Sequence, residues 1–210
     1  NLTNTIPLHL LTSADDGIVK LWDISQCNQQ SLPKEILSSN CSHNKGIFAM
    51  DERCGLILTG SKDRSVAIST ILPSGIIQLQ HSYEDIHNSV VKSVSWKSEI
   101  NENESSKIFA SGSQDYSVCI YDIRSSKEKT RIEGVHSGGV HTVNWNPYIN
   151  DSGEFFLMTS GYDSKVKIYD IRTLSSSKDN ETLPLFTFQP DEMYRNEKRT
   201  SIITPHFLNS

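Results

Sequence analysis

The chain has 210 residues, enough for one or two ordinary domains with a sizeable core. Its formal net charge of −5 argues against a basic nucleic-acid face, which needs clustered Lys and Arg, and no apolar run approaches the ~20 residues that span a bilayer. The cysteines Cys27, Cys41, Cys54 and Cys119 lack C-x-x-C spacing, which argues against a disulfide framework or a zinc site and fits reduced, buried thiols in a cytoplasmic or nuclear protein.

Taken in chain order, residues 12–23 (TSADDGIVKLWD) set a pattern of small residues, an aspartate and an alternating apolar run. The pattern returns without a gap at 59–70 (TGSKDRSVAIST), 111–122 (SGSQDYSVCIYD) and 159–170 (TSGYDSKVKIYD). Its aspartates, Asp16, Asp63, Asp115 and Asp163, are 47, 52 and 48 residues apart. That slightly exceeds the roughly 40–45 residues of a four-stranded unit, and polar insertions at 98–107 and 175–182 account for the excess. The aspartate suits a tight hairpin, where its short carboxylate bonds nearby amides. In the run that follows, Val118 and Ile120 point one way and Cys119 and Tyr121 the other, as in a strand packed on both faces.

A second repeated element precedes each of the last three hairpins. Residues 87–96 (HNSVVKSVSW) match 136–145 (HSGGVHTVNW), and 43–50 (HNKGIFAM) is a weaker copy. Each is a histidine, a turn and a strand. Strand signals at 75–80, 129–133 and 184–189 complete four-strand units, and residues 200–208 read as the inner strand of a further one. Phe155, Phe156, Phe186 and Phe188 occupy strand positions and are expected in the core, and the basic run 195–199 is expected in a solvated loop.

Little of this pattern carries chemistry. There is no phosphate-cradling loop, no G-x-S-x-G elbow and no H-x-x-x-H pairing among the seven histidines. No catalytic residue, metal ligand or cofactor site is assigned. His43, His87 and His136 recur with the repeat, which suits a structural role, because an active site is not repeated.

On these residues the chain resembles the WD-repeat β-propeller family. The carriers are Trp22-Asp23, Tyr121-Asp122 and Tyr169-Asp170, with histidine and aspartate repeated in the same order. The resemblance implies an all-β propeller of four-stranded antiparallel blades, here an incomplete ring of about four. Residues 1–40 would form an incomplete first blade, 41–83 the second, 84–133 the third, 134–190 the fourth, and 191–210 the start of another. The longer protein would then begin before Asn1 and continue beyond Ser210. The resemblance also implies a buried network of histidine, serine, aspartate and aromatic in each blade. The third copy is fullest, with His87, Ser113, Asp115 and Tyr121. The second has His43, Ser61 and Asp63, with Ser69 at the aromatic position. The fourth has His136, Asp163 and Tyr169, with Gly161 for the serine, and the first has Asp16 and Trp22, with Ala14 for the serine.

The function implied is a protein–protein interaction scaffold, with no enzyme activity, cofactor, small-molecule substrate, direct nucleic-acid contact or membrane partner. Residues 108–124 and 156–172 further resemble the docking box of WD-repeat substrate receptors for cullin–RING ubiquitin ligases. That resemblance implies that Asp122, Arg124, Asp170 and Arg172 engage the ligase's propeller adaptor. The first repeat has Ser25 in place of the arginine. Against this stands local pairing of each arginine with its neighbouring aspartate, for little energy. The alternatives are a propeller subunit of a chromatin- or RNA-processing complex and, last, a propeller hydrolase.

Overall fold

The computed structural model describes residues 8–25, 27, 31–39, 43–72, 76–97, 108–125, 128–147, 155–174 and 183–189. Cys41, the insertions, the basic run and the strand expected at 200–208 lie outside these residues.

Four antiparallel sheets follow one another along the chain. The first has three strands, β1 (His9–Ser13), β2 (Val19–Asp23) and β3 (Lys34–Ser38). The second is β4 (Ile47–Arg53), β5 (Leu56–Ser61), β6 (Val66–Ile71) and β7 (Ile77–Tyr83). The third is β8 (Val91–Trp96), β9 (Ile108–Ser113), β10 (Val118–Asp122) and β11 (Glu128–Ile132). The fourth is β12 (Val140–Trp145), β13 (Phe156–Gly161), β14 (Val166–Asp170), the helical turn α1 (Ile171–Leu174) and β15 (Phe186–Phe188). Strand order follows chain order in every sheet, because each strand pairs antiparallel with the next.

The leading strands β4, β8 and β12 lie side by side. Hydrogen bonds staple them: the Trp96 N–H donates to Asp51 Oδ2 at 2.7 Å, and Val143 N–H to Ser93 Oγ at 3.0 Å. Trp145 Nε1–H reaches the Ser95 carbonyl at 3.1 Å. Apolar clusters fill the space between neighbouring sheets. Alternation along β10 divides it between two of them: Val118 and Ile120 join one, Cys119 and Tyr121 the other. The sheets approach closely at Gly60 and Gly112. A Cβ there would sit 2.6 Å from Val91 Cγ1 and 2.7 Å from Val140 Cγ1, which requires glycine. The result is an incomplete propeller of about four blades.

Two expectations are corrected. Of the described cysteines only Cys119 is buried, while Cys27 and Cys54 are exposed. Cys54 shares the β4–β5 turn with Gly55, both at positive φ (51° and 77°), the geometry of a two-residue hairpin loop that faces solvent. Phe186 and Phe188 are also exposed, because β15 is the outermost strand of its sheet and no further sheet covers it among the described residues.

Candidate functional site

Each repeated aspartate opens the hairpin between the second and third strands of its repeat. The residue after it has a left-handed backbone in all four copies: Gly17 (φ 76°), Arg64 (78°), Tyr116 (72°) and Ser164 (59°). For a non-glycine residue this costs roughly 1–2 kcal/mol. The carboxylate offsets the cost by accepting the N–H two residues on. Asp16, Asp63, Asp115 and Asp163 take the amides of Ile18, Ser65, Ser117 and Lys165 at 3.0, 3.0, 3.0 and 3.2 Å. In the last three copies the second oxygen reaches the loop before the leading strand. There it accepts from Asn44 N–H (2.8 Å), Asn88 N–H (2.7 Å) and Ser137 N–H (3.1 Å). One carboxylate thus holds both the turn and the loop that carries the histidine.

The imidazoles of His43, His87 and His136 are wholly buried between these two points. Nε2 faces a hydroxyl in each: Thr59 at 2.8 Å, Ser111 at 2.9 Å and Thr159 at 2.9 Å. Nδ1 differs between copies. It bonds Ser65 Oγ at 2.8 Å and Ser117 Oγ at 3.0 Å, with Asp63 and Asp115 behind at 3.4 and 3.2 Å. In the fourth copy Lys165 replaces that serine, and Nδ1 meets Asp163 directly at 2.8 Å.

Electrostatics fixes the proton positions. Burial pushes the Asp63 carboxyl up, but hydrogen bonds from Ser65 and Asn44 outweigh it and leave it below its usual value. At Asp163 burial is outweighed by His136 and two backbone amides. Asp115 lies lower still, since burial is opposed by His87, Ser117 and Asn88 together. An ionised carboxylate only accepts, so Nδ1 carries the hydrogen and Nε2 accepts from the hydroxyl. Burial pushes His43 and His136 down, toward the neutral form, against the pull of Asp63 and Asp163.

The serines two before the aspartate have another task. Ser61 Oγ accepts the Asp63 N–H at 3.0 Å and donates to the Gly46 carbonyl at 2.9 Å, while Ser113 Oγ accepts the Asp115 N–H at 3.1 Å. The hydroxyls that touch the rings stand four before the aspartate (Thr59, Ser111, Thr159) and two after it (Ser65, Ser117). The first group had a signal, since every aligned segment opens on Ser or Thr. In the first repeat Thr12 holds the same place and accepts from Trp22 Nε1–H at 2.8 Å. Gly161 is required in the fourth copy, where a Cβ would lie 2.4 Å from His136 Cγ. The tyrosines serve packing. Tyr121 stacks on Phe109 (5.4 Å, 7° between planes), and Tyr169 is so enclosed that burial pushes its phenol up to about 12. These buried, internally bonded imidazoles tie the hairpin to the loop before the leading strand, so the repeated cluster acts as a clasp.

The second group of residues lies at the ends of β10 and β14. Arg124 lays Nε (2.9 Å) and Nη2 (2.6 Å) on the two oxygens of Asp122. Arg172 does the same to Asp170, at 3.0 and 2.6 Å, and also lies 4.8 Å over the Phe155 ring. The Arg172 hydrogen bond holds the Asp170 carboxyl below its usual value. Each aspartate also accepts the arginine's own N–H at 3.0 Å. The aspartates are mostly covered, whereas the arginine side chains are 66% and 47% exposed. The first repeat makes the same turn, with Asp23 accepting the Ser25 N–H at 2.8 Å, but presents no cation. Among the described residues no group of three His, Cys, Asp or Glu is placed to hold a metal ion, and no helix is long and apolar enough to cross a membrane.

Residues 128–170 match the family described as WD domain, G-beta repeat. The chain is also similar to the WD-40 repeat-containing protein MSI3 of Arabidopsis thaliana, at 29% identity over 125 residues. That stretch covers 58% of this chain and 27% of the relative, so the match spans about a quarter of the relative's length. With the sheets described above, the architecture is that of an incomplete WD-repeat propeller of about four blades.

Proposed function

We propose that the chain is a substrate receptor that docks the propeller adaptor of a cullin–RING ubiquitin ligase through the ends of β10 and β14. One observation carries the reading. Two consecutive blades present the same aspartate-clamped arginine at the same point of the repeat. A guanidinium has five N–H donors in a planar fork, and the aspartate holds one edge of it. The side chain is therefore ordered before any partner arrives. Ordering a free arginine on binding would cost about 0.5–1.5 kcal/mol, and the clamp lowers that cost at both positions. Two forks on neighbouring blades suit bidentate contacts to carboxylates on a rigid partner.

The test is direct binding of purified ligase adaptor to the chain and to the Arg124→Ala, Arg172→Ala double variant. The expected result is binding by the parent and a loss of at least tenfold in the variant, with the far-ultraviolet spectrum unchanged. Equal adaptor binding by both would remove the ligase reading.

A further inference from the structure

A cross-strand position sets the second sheet apart. Four residues after the repeated aspartates, the third strand pairs with the outer strand as Lys20–Ser38, Ala67–Ser82, Cys119–Arg131 and Lys167–Thr187. Three of these pairs contain a cation. Ala67–Ser82 contains none.

In the third sheet the cation has a defined seat. Arg131 donates to Ser117 Oγ at 3.1 Å, to Glu133 Oε1 at 3.4 Å and to the Ile86 carbonyl. In the fourth sheet Lys167 donates to the Val135 carbonyl, which precedes His136 as Ile86 precedes His87. The residue before His43 lies outside the described ones, but the other acceptors recur in the second sheet. Ser65 stands where Ser117 does, and Glu84 where Glu133 does. Between them is a pocket of about 390 Å³, with Ser82, Asp63, Asp85 and Leu79 also on its wall. That volume lies at the lower end of the roughly 300–1,000 Å³ typical of ligand sites.

The hydroxyl bonding shows what the pocket lacks. Ser117 Oγ donates to Asp115, accepts from His87 Nδ1 and accepts from Arg131. Ser65 Oγ donates to Asp63 and accepts from His43 Nδ1, and its second lone pair meets no donor among the described residues. Charge agrees. Asp63, Glu84 and Asp85 line the pocket against one cation, Arg64, which is turned toward Asp85 at 3.5 Å.

We infer that this pocket binds an arginine side chain of a partner protein, with its guanidinium placed as Arg131 places its own in the third sheet. The head bonds Ser65 Oγ and the Glu84 carboxylate, and the methylene stem lies along Leu79. The site is on a different sheet from the Asp–Arg forks. It rests on the scaffold reading and not on the ligase adaptor, so it stands or falls by a separate experiment.

That experiment titrates N-acetyl-L-arginine amide into the full 210-residue chain and follows backbone amides by NMR. N-acetyl-L-citrulline amide, of the same shape without the charge, is the control. Saturable shifts confined to residues 43–44, 63–65 and 82–85 are expected, with a Kd on the order of 1 mM. Citrulline should bind at least tenfold more weakly. Ser82→Arg seats a cation from within and should abolish binding, and Glu84→Gln should weaken it about fivefold. Absent or non-saturable shifts, equal shifts with citrulline, or undiminished binding by Ser82→Arg would overturn the proposal. If Ser82→Arg does not fold, Glu84→Gln at its exposed site decides, and unchanged affinity there has the same consequence.

Discussion

Replacing Asp115 by alanine should be among the most damaging single changes in the repeat. The carboxylate is 8% exposed and accepts four hydrogen bonds. These come from Asn88 N–H (2.7 Å), Ser117 N–H (3.0 Å), Ser117 Oγ (2.7 Å) and His87 Nδ1 (3.2 Å). Alanine leaves the donors in place and removes their acceptor. Asn88 N–H can turn to water, and Ser117 Oγ still accepts from His87, so the cost is below the sum of four charged bonds at roughly 1.5–3 kcal/mol each. The left-handed turn at Tyr116 also loses its support, worth roughly 1 kcal/mol. Together these give a loss of about 3–4 kcal/mol. Asp16→Ala is the internal standard, because Asp16 is exposed and its described side-chain bond is the one from Ile18 N–H at 3.0 Å. It should cost about 1 kcal/mol. Urea unfolding followed by both fluorescence and circular dichroism measures the difference, and two probes are needed because stacked sheets can unfold separately. Equal losses from the two variants, or less than about 1 kcal/mol for Asp115→Ala, would refute the clasp as a source of stability.

Acid should weaken the fold before the carboxylates titrate. His43 and His136 are buried neutral, so their folded pKa lies below the ordinary value near 6.5, and their contribution is whole above that pH and lost as pH falls below it. Each can add a slope of up to about 1.4 kcal/mol per pH unit, read from urea midpoints between about pH 7 and 5; a flat profile there would contradict the assignment. Gly161→Ser drives a Cβ into His136 and should cost about 1–3 kcal/mol by overpacking, seen as a lowered Tm. The Arg124→Ala, Arg172→Ala double variant should stay within about 1 kcal/mol of the parent in urea, since both side chains are well exposed.

Much of the fold is legible in the chain because the repeat is written four times. The hairpin aspartates, the Ser or Thr four before them and the alternation at 118–121 occupy fixed offsets, while the leading histidines stand 20, 28 and 27 residues before their aspartates because loops of unequal length intervene. The serine partner is different. Ser61 and Ser113 lie closer to the aspartate in sequence than Thr59 and Ser111 and share their strand face, yet their hydroxyls are taken up at the turn by the Asp63 and Asp115 N–H, and the ring meets the residue four back. The outer strands are the least legible. A register shift falls in the third strand at the same place in three sheets, between Leu21 and Trp22, Ile68 and Ser69, and Ile120 and Tyr121. Loops of unequal length follow. Arg131, Ser82 and Thr187 therefore hold one structural position without aligning by offset, and the pocket beside Ser82 has no sequence signature. Exposure of Cys54 and Phe186 is set by a turn and by a sheet edge, neither of which composition reveals.

Hydrogen exchange on the chain with and without purified ligase adaptor tests the docking assignment most directly. Protection concentrated at the amides of residues 122–125 and 170–173, at the ends of two neighbouring blades, is the expected result. Adaptor-dependent protection confined to other strands, or none at saturating adaptor, would contradict it.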